Sequence, residues 1–182
     1  MLWKIKNNSV GKNVNNLKAI SEVALIAAIY ITVSLVLANF SFGMVQIRIA
    51  EALTIMAVFK KRYIYGLTLG CFLTNLIGFA TGQNMLGILD SVFGTLATLI
   101  SGYLTYYFKN FEFKGLPILS ILPPIIVNAI VVGGELTVLI KGSFFNRLFF
   151  INALSVGIGQ FVSCGLVGMV LFIALKPIIK IN

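Results

Sequence analysis

The sequence predicts an all-α integral membrane protein, a bundle of six transmembrane helices in which the second helix is short. Of its 182 residues, 59% are hydrophobic and only 10% are charged, against about 25% in soluble domains. A soluble fold of this size could not bury so much apolar surface, whereas helices in a bilayer satisfy their own backbone groups. We expect residues 1–182 to form a single transmembrane domain, in which residues 1–19 are a basic segment on the cytoplasmic side.

Six hydrophobic runs carry this prediction, at residues 20–40, 48–59, 63–80, 86–108, 116–140 and 147–175. Most of them reach the ~20 residues that cross a bilayer. The second run has only about a dozen residues, or ~18 Å of α-helix. It either extends backward through residues 44–47 or enters and leaves the membrane on one side.

The distribution of basic residues indicates that the second hydrophobic run crosses the membrane. If the second run spans, 11 of the 14 Lys and Arg residues lie on one side, and only Arg48, Lys141 and Arg147 lie on the other. If it does not, the best division is 6 inside and 8 outside. Because cytoplasmic loops are enriched in Lys and Arg, we expect six spans with both termini in the cytoplasm. The net charge of +9 then reflects topology and does not indicate a nucleic-acid partner.

Several chemistries are excluded by composition. The chain has no His and no phosphate-binding Gly-x-x-x-x-Gly-Lys-Ser/Thr loop, so it lacks His-ligated haem or zinc and does not hydrolyse ATP by that loop. We expect no catalytic residue, no metal ion and no cofactor. Cys71 and Cys164 lie in apolar runs and are interpreted as buried structural thiols, with a disulfide or a reactive thiol as the alternative.

Three acids inside the apolar runs, Glu51, Asp90 and Glu135, are the strongest functional signal. A carboxylate at the centre of a membrane helix costs about 2.5–3.5 kcal/mol on insertion scales. The six-span threading places all three at a similar depth toward the outer face, which predicts a pocket for a small polar molecule arriving from outside. Alternatively, Arg48 and Glu51 form an ion pair three residues apart, and the other two acids bond to a neighbouring helix.

Amides, small residues and aromatic rings provide weaker signals. Asn75, Asn128, Asn152 and Gln160 either contact a ligand or join helices to one another. The small residues Ala24, Ala28 and Thr32 share one face of the first helix, as Gly66 and Gly70 do on the third; such faces serve internal packing or the docking of another membrane protein. The rings near the outer side that could stack on a flat ligand are Phe40, Phe42, Phe79 and Phe93.

The stretch Gln46-Ile47-Arg48-Ile49-Ala50-Glu51-Ala52-Leu53, together with the Ala-rich first helix, resembles the QueT family. The resemblance implies a substrate-binding S component of an energy-coupling factor (ECF) transporter. Its cargo would be a queuosine precursor, and the preferred one is pre-queuosine, a 7-deazaguanine with an aminomethyl group. It also implies docking through the first helix, at Ala24, Ala28 and Thr32, onto a coupling membrane protein that carries two ATPases. The candidate substrate-binding residues are Gln46, Arg48, Glu51, Asn75, Asp90, Asn128 and Glu135.

The ligand's chemistry agrees with these residues. A guanine-like edge presents two neighbouring N–H donors to a carboxylate, and the aminomethyl cation favours a second carboxylate. The alternatives are an S component for thiamine or a pyrimidine precursor, a small ion-coupled secondary transporter in which the acids carry protons, and an intramembrane enzyme, which the absence of His and of a nucleophile–base pair disfavours.

Overall fold

The chain is helical in the computed structural model, which describes residues 2–41, 47–84, 86–142, 146–179 and 181, with the backbone alone for residues 2–13 and 40. The elements are α1 (Leu2–Val36), α2 (Ala38–Ser41), a central 3₁₀ helix (Ile49–Val58), α3 (Tyr63–Ala80), α4 (Ile88–Tyr107), α5 (Leu122–Lys141), α6 (Arg147–Gln160), a π-helical segment (Phe161–Val167) and α7 (Gly168–Leu175). Within these ranges the predicted all-α class is confirmed.

In the part of the chain that the structure describes, five helical stretches are long and apolar enough to cross a bilayer: Val14–Val36, Tyr63–Ala80, Ile88–Asn110, Ile118–Lys141 and Arg147–Leu175. The second predicted helix is short, as expected, but its ten residues form a 3₁₀ helix. At about 2 Å per residue this geometry extends it to roughly 20 Å. The first helix starts much earlier than its apolar run, because α1 begins at Leu2 and takes in the segment that was expected to precede it.

Local sequence signals fix the ends of the later helices. Pro123 and Pro124 occupy the first turn of α5, where a missing backbone N–H has no cost, and Gly142 ends α5 at a left-handed φ of 66°. The Asn146 side chain accepts hydrogen bonds from the Leu148 and Phe149 amides, at 2.8 and 3.3 Å, and so caps the start of α6.

Helices α1 and α3 run parallel and pack closely. A Cβ on Gly66 would lie 2.6 Å from the Val23 carbonyl oxygen, and one on Gly70 would lie 2.7 Å from the Tyr30 Cβ. Going along α3 from Gly66 to Gly70, the neighbouring residue on α1 moves from Val23 to Tyr30, so both helices run in the same direction. The small face formed by Gly66 and Gly70 therefore serves internal packing, one of the two roles expected for it.

The next helix along the chain, α4, runs in the opposite direction to α3. On α4, Thr98 meets Cys71 and Gly102 meets Ile64, so α4 is antiparallel to α3. On α5, Gly133 packs against Ala153 of α6 so tightly that a Cβ would lie 2.7 Å from the Ala153 Cα. We call the end of the bundle at which α3 ends and α4 begins the Asn84 end, and the opposite end the Lys60 end.

The central 3₁₀ helix lies inside this bundle. Eight of its ten residues are buried. Ala52 lies against Gly168, and Phe59, just after the helix, stacks on Phe172 with ring centroids 5.3 Å apart. The 3₁₀ helix therefore runs from the Asn84 end to the Lys60 end beside α7. It is the segment that brings the chain back from the end of α1 to the start of α3, which allows these two helices to be parallel.

Candidate functional site

A buried ion pair joins the start of the central 3₁₀ helix to the start of α4. Asp90 lies in the first turn of α4, where the helix dipole favours a negative charge, and Arg48 directly precedes the 3₁₀ helix. The Arg48 Nη2 donates to Asp90 Oδ2, and both side chains are almost fully buried, with 5% and 0% exposure. Each charge is therefore compensated where water does not reach it.

The turn between α3 and α4 brings two amides onto Asp90. Gly82 and Gly87 hold positive φ angles of 70° and 66°, which let the chain reverse within a few residues. The Asn84 Nδ2 then donates to Asp90 Oδ2 at 2.9 Å, and the Asn75 Nδ2 donates to the Asp90 backbone carbonyl at 2.9 Å. Asp90 Oδ1 is buried and has no hydrogen-bond partner among the described residues. One acceptor of this carboxylate thus remains available.

This geometry excludes one of the two interpretations of Arg48, an ion pair with Glu51. Arg48 stands outside the helix, with φ −81° and ψ 84°, so the three-residue spacing does not place the two side chains on one helix face. Its partner is Asp90, for which a bond to a neighbouring helix was one of the two expected roles. The pair escaped sequence analysis because its members lie 42 residues apart.

Glu51 is held by hydroxyl groups. The Tyr30 hydroxyl donates to Oε1 at 2.5 Å, the Thr98 hydroxyl lies 3.0 Å from the same oxygen, and the Thr54 hydroxyl donates to Oε2 at 3.1 Å. The side chain has no exposed surface. Because these donors come from α1, α4 and the 3₁₀ helix itself, Glu51 joins three elements of the bundle.

The depth predicted for Glu51 was wrong. Its partner Thr98 and the neighbouring Cys71 lie near the middle of α4 and α3, so its carboxylate is about halfway along these helices. Asp90 is within one turn of the Asn84 end. The reason is that Glu51 lies one 3₁₀ turn beyond Arg48, and its side chain reaches the hydroxyl groups of Tyr30 and Thr98 deeper in the bundle.

Glu135 borders a groove between α4 and α5. It lies six residues before the end of α5. The groove has a volume of about 650 Å³ and is lined by Leu86, Leu89, Phe93, Ile130, Val131, Glu135, Val138 and Leu139. Both carboxylate oxygens of Glu135 are buried and have no hydrogen-bond partner among the described residues.

The remaining predicted amides have separate positions. Gln46 lies outside the described residues. Asn75 belongs to the Asp90 cluster, whereas Asn128 is buried in α5, where its Nδ2 donates to the Pro124 carbonyl at 2.9 Å. Asn152 donates to the Thr137 hydroxyl at 3.0 Å and so joins α6 to α5, the structural role that was one of its two expected roles.

Tyr30, Asn84 and Thr98 contact the acids and were not among the predicted site residues. Tyr30 offered a signal, since a tyrosine hydroxyl inside an apolar helix needs a partner. Cys71 and Cys164 are buried and unbridged, as the structural-thiol interpretation expects, and the Cys164 thiol contacts the Glu51 carbonyl at 3.3 Å.

The predicted docking face of α1 is exposed. Ala24, Ala28 and Thr32 all lie on the surface of the bundle, and the Thr32 hydroxyl donates to the Ala28 carbonyl of its own helix at 2.8 Å. The α1 residues against which α3 packs include Ala27 and Tyr30. The small residues thus occupy a different face from the one that packs on α3.

Comparisons with known proteins agree on one family. The model of the QueT transporter family matches residues 20–177. The queuosine precursor transporter QueT of Lactococcus lactis subsp. cremoris (strain MG1363) is 32% identical over 83 residues. That alignment covers 44% of this chain and 45% of the relative, so it spans a little under half of each protein. No solved structure matches.

We predict that Arg48→Met destabilises the protein by about 3–5 kcal/mol, because it leaves the Asp90 carboxylate buried without its cation. The double variant Arg48→Met/Asp90→Asn should regain much of this loss, since no unpaired charge remains. Thermal unfolding of the detergent-purified protein measures both effects. The control is Arg147→Met at the exposed start of α6, which should unfold like the parent. An unchanged unfolding temperature for Arg48→Met would show that the ion pair contributes little to stability.

Proposed function

Because the chain belongs to the QueT transporter family, we propose that it is the membrane-embedded substrate-capture subunit, or S component, of an energy-coupling factor importer. Its cargo on this proposal is a queuosine precursor taken up from outside the cell, with pre-queuosine as the preferred ligand. The family is one of transporters, and the five long apolar helices make the chain a multi-pass membrane protein. We place it in the plasma membrane of a prokaryote, in keeping with the Lactococcus relative.

The proposal depends most on the buried acids near the Asn84 end. Among the described residues, nothing donates to Asp90 Oδ1 or to either carboxylate oxygen of Glu135, and Glu135 is one of the residues that line the groove. A guanine-like ring supplies N–H donors for such acceptors, and an aminomethyl group supplies a cation. An anionic vitamin would instead meet the carboxylates of Asp90 and Glu135 and a guanidinium that is already paired, so this set of residues disfavours it.

We predict that Glu51→Gln and Asp90→Asn each weaken binding of pre-queuosine about ten- to a hundredfold, the effect of losing a charge-assisted hydrogen bond of about 1.5–3 kcal/mol. For Glu51 the loss includes the hydroxyl network that positions it. Isothermal titration calorimetry on the detergent-purified protein measures the affinities. The control is Glu112→Gln, an exposed acid near Lys176, which should bind like the parent.

Two results would count against this assignment. Tight binding of thiamine with no binding of 7-deazaguanines would favour an S component for another vitamin. Parental affinity in both acid variants would mean that Glu51 and Asp90 have structural roles only.

We further propose six membrane crossings, with both termini in the cytoplasm and the whole chain as one substrate-binding domain. The parallel packing of α1 on α3 supports this, because the chain must return between them and the buried 3₁₀ helix runs in the required direction. The 11-to-3 division of basic residues then places the Lys60 end in the cytoplasm.

This orientation predicts the reactivity of single cysteines at two exposed positions, Lys61 at one end and Gln83 at the other. Gln83→Cys should react with a membrane-impermeant maleimide on intact cells, whereas Lys61→Cys should react only after permeabilisation. Background is low because Cys71 and Cys164 are buried. Reaction of Lys61→Cys on intact cells would contradict the six-span orientation.

We also propose that the exposed face formed by Ala24, Ala28 and Thr32 docks on a coupling membrane protein that carries two ATPase subunits. Small side chains let the backbones of two membrane helices approach closely, and this face of α1 is exposed. The chain carries no phosphate-binding loop of its own, so the energy of uptake would come from this partner.

We predict that Ala28→Trp abolishes transport and co-purification of the ATPase module while ligand binding to the isolated protein is unchanged. The reason is steric, since the indole holds the partner helix away. The control Leu154→Trp is on α6, at a position whose side chain is 66% exposed, and should assemble normally. Normal assembly of Ala28→Trp would mean that the small face contacts only lipid.

A further inference from the structure

The three membrane acids differ in how far their charges are already compensated. Asp90 is paired with Arg48 and also accepts a bond from Asn84. Glu51 accepts bonds from three hydroxyl groups. Glu135 receives no hydrogen bond on either oxygen from the residues that the structure describes. Of the three acids, Glu135 is therefore the one at which a bound cation would gain the most binding free energy.

The surroundings of Glu135 fit a small organic cation. Its groove, about 650 Å³, is within the ~300–1,000 Å³ range of small-molecule sites. The other lining residues are aliphatic except for Phe93, whose ring can cover a flat heterocycle. A desolvated carboxylate in such apolar walls attracts a cation more strongly than a carboxylate in water does.

No described basic side chain donates to Glu135. The Arg48 guanidinium, which lies in the same bundle, already donates to Asp90. Among the described residues, Glu135 is therefore left without a cationic partner from the protein itself.

We propose that Glu135 is the residue that distinguishes ligands by charge, binding the ammonium of the aminomethyl group while Phe93 stacks on the deazaguanine ring. This inference rests on the proposed function. It assigns the cationic donor of the ligand to Glu135, the acid that lines the groove and that no described side chain bonds. Glu135 is accordingly a specificity-determining residue, and its role is separable from overall affinity.

The test compares pre-queuosine with its nitrile relative, which has the same ring and no ammonium. Titration calorimetry on the purified full chain gives both dissociation constants, and their ratio measures discrimination by charge. In the parent the amine should bind more tightly. In Glu135→Gln the preference should fall about ten- to a hundredfold, with the affinity for the nitrile nearly unchanged.

A matched variant isolates the effect. Phe93 lines the same groove, and Phe93→Leu should weaken both ligands together, so that the ratio of the two dissociation constants is kept. A change of this ratio in Glu135→Gln but not in Phe93→Leu is the result that supports the proposal.

The outcomes separate the two hypotheses. If the parent binds both ligands and Glu135→Gln keeps the parental ratio, ammonium recognition by Glu135 is wrong while the proposed function stands. Equal affinity of the parent for amine and nitrile has the same meaning. If the parent binds neither ligand, the proposed function fails and this inference fails with it.

Discussion

The contact between Arg48 and Asp90 organises the bundle around it. It ties the start of the central 3₁₀ helix to the first turn of α4, at the end where Asn75 and Asn84 also contact Asp90. Charges in an apolar interior are tolerated only when geometry and additional hydrogen bonds compensate them. This pair therefore limits where the 3₁₀ helix can sit, and with it the position of Glu51.

The three acids of the bundle differ in how many hydrogen-bond donors surround them, with Glu51 and Glu135 as the two extremes. Glu51 lies halfway along α3 and α4 and is surrounded by donors from several elements, so its environment favours rigidity. Glu135 borders a groove and lacks such donors among the described residues, so its environment favours an external partner. Asp90 lies between these cases, because one of its oxygens accepts hydrogen bonds and the other has no partner among the described residues. The carboxylate group thus holds the bundle together at Glu51 and, on the proposed function, binds the ligand at Glu135.

Sequence reasoning was most successful where a signal is spread over many residues. The apolar runs predicted the helical class and the short second helix, because hydrocarbon requires long apolar segments whatever their detailed packing. The acids were found because each is costly in an apolar run. Individual partners were not predictable: the 42-residue separation of Arg48 from Asp90 and the contact of Tyr30 with Glu51 depend on how the helices pack. The depth of Glu51 was misjudged for the same reason, since it is set by the partners that the side chain reaches on α1 and α4.

The π-helical segment Phe161–Val167 divides the last crossing into two parts with different neighbours. Before it, α6 is packed on α5 through Gly133 and Ala153; after it, α7 is packed on the core through Phe172 and Phe59. A wide helical turn is a point at which a helix bends more readily than along its regular length. The hairpin of α5 and α6, which carries Glu135, and the aromatic packing at the Lys60 end are therefore joined through this one turn of the last crossing.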